Sequence, residues 1–242
     1  MICGMTAKNG SLAPEKSPGT AVLRSVELVG PAGRLEALLN EGSPLAPCAA
    51  VVCHPHPKGG GTMHNKVVYH AMKALNAPEF GLSLPVLRFN FRGTGLSEGT
   101  YDGTAETEDV LAALSWIENE YNCPLLVVGF SFGAAMSLMA CCHSSPSSSG
   151  KRNVRAVAAL GLPTRAEGHE YRYSFLSHCS IPKLFVSGDR DAFAPVTDLN
   201  QVAATTAEPK KLVLIPGADH FFSGRLEAMQ NTLAGWCKEQ LP

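Results

Sequence analysis

The feature that most limits how this chain can fold is a rhythm that begins at Ala49, in which short apolar runs alternate with longer stretches of helical period. The runs fall at residues 49–53, 85–89, 125–128, 154–160, 183–186 and 211–215. Each is apolar over most of its length, and this predicts strands buried on both faces. Between them, residues 107–121 bring Val110, Leu114, Ile117 and Tyr121 to one helical face, and residues 223–240 do the same with Leu226, Met229, Leu233 and Trp236. Strands separated by helices need crossover connections, so the pattern predicts an α/β domain: a mainly parallel sheet with helices on both faces. Ahead of it, residues 22–29 and 35–39 flank Gly30-Pro31-Ala32-Gly33 and read as an N-terminal antiparallel hairpin.

Residues 1–20 are rich in Gly, Pro, Ser and Lys without apolar period and read as a flexible N-terminal tail; residues 21–242 then form a single domain. The serine-rich stretch 143–153 reads as a surface loop. The interval 163–182 has space for a short connecting helix only, which predicts a minimal lid and an open site. Lys and Arg number 20 against 21 for Asp and Glu, a net charge of -1 that provides no field for gathering nucleic acid or an anionic membrane. The expected partner is a small, weakly charged molecule. No apolar run approaches the roughly 18 residues of a membrane span, and the opening segment lacks a secretory signal's apolar stretch. The expectation is a cytoplasmic protein whose oligomeric state the sequence leaves open. The eight cysteines, at 3, 48, 53, 123, 141, 142, 179 and 237, form no CxxC pair and read as reduced core thiols.

The chemistry centres on residues 125–136, an apolar strand running into Gly129-Phe130-Ser131-Phe132-Gly133 and then a helix. Glycines on either side of a sharp strand-to-helix turn let the Ser131 hydroxyl stand clear at the carboxyl end of a sheet. A serine hydroxyl is a weak nucleophile at neutral pH, so a base must take its proton and an acid must hold the base. His220 follows the last apolar run in Pro216-Gly217-Ala218-Asp219-His220, within reach of such a serine. Gly188-Asp189-Arg190-Asp191 follows the preceding run, and chain order admits either aspartate as the acid; the other would brace the turn. Asp102 and Asp109 are weaker candidates, as acids near a helix start answer to its dipole. A developing oxyanion needs backbone donors. Phe132 N–H supplies one; in the loop His54-Pro55-His56-Pro57 the prolines have no N–H, which leaves His56 to supply the other. The His54/His56 pair lacks a third ligand at telling spacing, so no metal and no organic cofactor is expected. Phe130, Phe132, Phe221 and Phe222 lie near these residues in sequence and are candidates to wall a small acyl pocket.

The segments HPHPKGGGTMHNKVV (54–68), LRFNFRGTGLSEG (87–99), GFSFGA (129–134), FVSGDRDAFAP (185–195) and IPGADHFFSGRL (215–226) resemble small, lid-poor α/β-hydrolases of the dienelactone-hydrolase-like group. The resemblance runs from about Val22 to Trp236. It implies the α/β-hydrolase fold, a structural role for Arg92-Gly93, His220 as base, and Asp191 as acid, being the second aspartate of GDxD. Dienelactone hydrolases proper carry Cys at the nucleophile position, so the likeness does not bring their substrate with it. The expected activity is hydrolysis of small, short-acyl carboxylic esters through a Ser131-His220-Asp191 triad and an acyl-enzyme. The same residues serve a thioesterase or small-molecule peptidase, and the fold also serves catalytically silent binding modules.

Overall fold

A computed structural model describes residues 22–143, 153–166 and 169–241. The expected tail at 1–20 lies outside these residues, as do positions 144–152 of the serine-rich stretch and Cys3. The chain opens with β1 (Leu23–Gly30) and β2 (Gly33–Asn40), which pair antiparallel around a Pro31-Ala32 turn. Gly33 sits at φ 115°, a backbone geometry suited to glycine. There follow β3 (Ala49–Cys53), α1 (Lys66–Asn76), β4 (Val86–Phe89), α2 (Glu106–Tyr121), β5 (Leu125–Phe130), α3 (Phe132–Cys142) and β6 (Val154–Leu160). The remainder comprises the two-residue strands β7 (Arg165–Ala166) and β8 (His169–Glu170), then β9 (Lys183–Gly188), α4 (Val196–Thr205), β10 (Lys210–Ile215) and α5 (Leu226–Glu239).

The sheet order is β1-β2-β4-β3-β5-β6-β9-β10, with only β2 running against the rest. Successive residues of β3 serve opposite layers, because strand side chains alternate. Ala49, Val51 and Cys53 join the core beneath α2 and α3, where Val110, Leu114, Ile117 and Leu138 pack. Cys48, Ala50 and Val52 join the other, with Val68 and Leu75 of α1 and Met229, Leu233 and Trp236 of α5. Both predicted helical stripes therefore face the sheet. β3 and β5 are buried throughout, as continuous apolar runs require.

Three readings change. β10 is an edge strand and only half buried, because no strand covers its outer side. The connecting helix expected between 163 and 182 is a 3-10 turn at Ser174–His178, preceded by the β7/β8 ladder. Cys142, at the end of α3, is joined in a disulfide to Cys179, just past that turn, with Cα atoms 5.2 Å apart. The reading of all cysteines as reduced thiols is thus corrected at this pair; a separation of 37 residues hides it from any spacing rule. Cys48, Cys53 and Cys237 are buried thiols, and burial pushes Cys53 and Cys237 up to about 12 and Cys48 to about 11, which keeps them unreactive. Among the described residues no helix is long and apolar enough to cross a membrane.

Candidate active site

Ser131 stands between β5 and α3 at φ 54°, ψ -121°, a strained geometry for a residue with a side chain. The two flanking glycines make the turn possible. A Cβ on Gly129 would lie 2.2 Å from the carbonyl oxygen of Gly133, and one on Gly133 would lie 2.4 Å from that of His54. No ordinary side chain survives either contact, so glycine at 129 lets the start of α3 fold back on the end of β5, and glycine at 133 lets it press against the end of β3 and the loop that follows. The serine is fixed by its own N–H, which donates to Leu160 O at 2.9 Å.

Ser131 Oγ is 2.9 Å from Nε2 of His220, and Nδ1 of His220 is 2.8 Å from Oδ2 of Asp191. An ionised carboxylate only accepts, so Nδ1 carries the imidazole proton and Nε2 presents a lone pair to the serine hydroxyl. Asp191 is held in turn: Ser187 Oγ donates to Oδ2 at 3.2 Å, and the N–H groups of Phe193 and Ala194 donate to Oδ1 at 2.8 and 3.2 Å. Asp189 points elsewhere and accepts from Gly217 N–H at 2.7 Å, bracing the loop after β9 against the loop after β10. Asp109 is bound to Arg92, and Asp102 accepts from the Ala105 N–H near the start of α2, so neither weaker candidate reaches His220. The His220 loop is anchored by Asp219, whose carboxylate accepts from the N–H groups of Phe221 and Ser223; the Ser223 bond, first, holds its pKa below the ordinary value. Gly161, at φ 54°, is a position the sequence did not reveal. A Cβ there would come within 3.2 Å of Cε1 of His220 and 3.1 Å of Phe130, so glycine leaves the space in which the imidazole lies.

The relay opens on a cavity of about 500 Å3. Its sides follow from the sheet order. Loops after β3 and β4 bring His56 and Tyr101 to one flank of β5; loops after β6, β9 and β10 bring Pro163, Phe193 and Phe221 to the other. Phe132 N–H belongs to the first turn of α3, where backbone donors have no partner within the helix. The two histidines of the HPHP segment serve different neighbours. His54 is buried and accepts from Phe91 N–H at 3.0 Å, whereas His56 lines the cavity and sits 2.9 Å from the Tyr101 hydroxyl. Of the expected pocket aromatics, Phe132 and Phe221 line the cavity, but Phe130 and Phe222 do not: both are fully buried core rings, Phe130 behind the His220 imidazole at 5.1 Å between centroids. Tyr101, Tyr171 and Phe193 take their place. Nearness in sequence to a catalytic residue misleads here because neighbours in a strand or turn point to opposite sides.

The profile of the family described as Alpha/beta hydrolase domain matches residues 49–239. An uncharacterised protein of Rickettsia prowazekii is 35% identical over 213 residues, covering 84% of each chain. Among solved structures, an alpha-beta serine hydrolase homologue from Coxiella burnetii superimposes with a TM-score of 0.74 at 34% identity, over 88% of this chain and 96% of its own. A serine hydrolase without a lid from Xanthomonas campestris gives 0.75 at 28% identity, over 94% and 99%.

Proposed function

We propose that this chain, which belongs to the alpha/beta hydrolase family, hydrolyses small carboxylic esters by a Ser131-His220-Asp191 triad through an acyl-enzyme. The observation that carries this reading is a hydroxyl, an imidazole and a carboxylate in series at 2.9 and 2.8 Å, opening on a cavity. His220 Nε2 takes the Ser131 proton as Oγ attacks the ester carbonyl carbon, and Asp191 stabilises the imidazolium that forms. The carbonyl oxygen, now anionic, accepts from the backbone N–H groups of Phe132 and His56. Collapse of this intermediate breaks the bond to the alcohol oxygen, which leaves with the proton from Nε2. Water then gives a proton to Nε2 and adds to the acyl carbon; expulsion of Oγ releases the acid and returns the hydroxyl. Alkoxide and thiolate leaving groups both fit this sequence. An open site with no more than the β7/β8 ladder and a 3-10 turn in the place of a lid favours short acyl chains.

A fluorophosphonate probe should label the wild type and fail to label Ser131→Ala, and p-nitrophenyl acetate should be turned over faster than a long-chain ester or an acyl-CoA thioester. Asp191→Asn should lower kcat by about 10^4-fold, because the amide no longer accepts from Nδ1–H and the imidazole turns to the wrong tautomer. Asp189→Asn should remain within about tenfold of wild type, since the Asp189 carboxylate accepts from Gly217 N–H in the neighbouring loop rather than from His220. An unlabelled, folded wild type overturns the proposal, and a larger loss in Asp189→Asn overturns the assignment of the acid.

A further inference from the structure

Phe193 and Phe221 differ from every other phenylalanine of the chain: among the described residues they are the two that stand exposed, at 38% and 51%. Both flank the same imidazole, with ring centroids 4.5 Å (Phe193) and 5.2 Å (Phe221) from that of His220. Each is also fixed at its backbone: Phe193 N–H donates to Asp191 and Phe221 N–H to Asp219. Two aromatic surfaces held at one wall of the cavity, still wet, are where an apolar ligand gains most by displacing water.

The rest follows from the direction in which a substrate must lie, and it rests on the hydrolytic reading above. Around the attacked carbon, one oxygen faces the amides of Phe132 and His56, on the side of the loop after β3. The leaving oxygen must come within hydrogen-bond reach of Nε2 of His220 to collect its proton. The carbons attached to that oxygen, those of the alcohol, therefore meet the rings that flank His220. We infer that Phe193 and Phe221 form a clamp for the alcohol half of the ester, and that the preferred substrates are short-acyl esters of aromatic or arylmethyl alcohols. A planar group offers each ring a face or an edge, whereas an ethyl group covers little of either.

The test separates the two halves of the ester. Benzyl and ethyl alcohols leave with similar ease, so comparing kcat/KM for benzyl acetate and ethyl acetate reports recognition of the alcohol; ethyl phenylacetate against ethyl acetate reports the same ring on the acyl side. Wild type should favour benzyl over ethyl acetate by at least about tenfold, and the double variant Phe193→Ala/Phe221→Ala should reduce that ratio about tenfold through KM. An unchanged ratio in the double variant, or a ring preference confined to ethyl phenylacetate, overturns the clamp. Titration of benzyl alcohol followed by ligand NMR needs no turnover. Binding undiminished in the double variant overturns the clamp, whereas binding that is lost there while wild type hydrolyses no ester overturns the hydrolytic reading and leaves an aromatic-binding site.

Discussion

His54 lies outside the cavity lining, beneath the loop that carries His56, and its protonation carries a consequence for the whole protein. The ring is fully buried, Nδ1 lies 2.6 Å from Pro55 O, and Nε2 accepts from Phe91 N–H. Both bonds require the neutral tautomer with its proton on Nδ1, and burial lowers the pKa to about 4. An unfolded histidine takes up its proton near 6.5, so between that pH and about 4 the unfolded chain binds more protons than the native one. The stability contributed by neutral His54 is therefore complete above pH 6.5 and is lost as pH falls toward 4. The loss at pH 5 is on the order of 2 kcal/mol. Urea unfolding at pH 7.5 and pH 5 should show this drop, and His54→Gln, less stable at both, should show a shallower one; an equal drop in the variant would disprove the attribution. Residues of this kind were only partly legible beforehand. Ser131 and His220 announce themselves because a glycine-framed turn and a strand end fix where they sit, and they meet at 2.9 Å. Gly161, Phe193 and Tyr101 lie in loops that obey no period, and their nearness to His220 or His56 exists only in three dimensions.

At the scale of elements, the loop between β4 and α2 carries Tyr101 to the cavity, and a buried ion pair ties its ends together. The Arg92 guanidinium donates to both oxygens of Asp109, from Nη2 to Oδ1 at 2.7 Å and from Nε to Oδ2 at 3.0 Å, and the Arg92 backbone N–H donates to Oδ2 at 3.0 Å. Asp109 is wholly buried within α2, so the pair joins the start of the loop to the helix that ends it. Glu106 completes the tie by accepting from the N–H groups of Asp102 and Gly103, just past Tyr101. The family resemblance implies a structural Arg92 and position near a helix start implies a dipole role for Asp109, but neither shows that the two are partners. Removing one side of a buried pair strands the other charge, at a cost of about 3–5 kcal/mol. Asp109→Ala should accordingly unfold at much lower urea. Arg92→Met/Asp109→Leu, which strands no charge and leaves only the residue-92 backbone N–H without its acceptor, should regain most of that stability. A double variant no more stable than Asp109→Ala would show that something other than charge burial dominates.

For the molecule as a whole, the alternation of strand and helix was sufficient to foretell the parallel sheet, its two covering layers and the antiparallel hairpin, because each depends on local period and turn chemistry. Strand order was not legible, since nothing in β3 states that β4 and β5 will lie on either side of it. The Cys142–Cys179 disulfide is of the same kind: two residues joined by topology, with nothing local to mark them. It fastens the end of α3, the helix that follows Ser131, to the strap that runs from Pro163, at the cavity, to the turn before β9. Tyr173, inside that strap, is buried and donates to Pro163 O at 2.6 Å, so the strap is already folded on itself, and the disulfide acts chiefly by limiting the unfolded chain. For a loop closed across 37 residues, chain entropy gives about 4 kcal/mol. In a domain of this size each kcal/mol moves the midpoint by about 2–4 °C, so Cys142→Ser or a reductant should lower Tm by on the order of 10 °C. The two treatments should not add, because both remove the same bond. Wild type in which reduction frees no additional alkylatable thiols by mass analysis, or whose Tm ignores the reductant, would show that these sulfurs are not joined in solution, and the strap would then depend on Tyr173 and its neighbours alone.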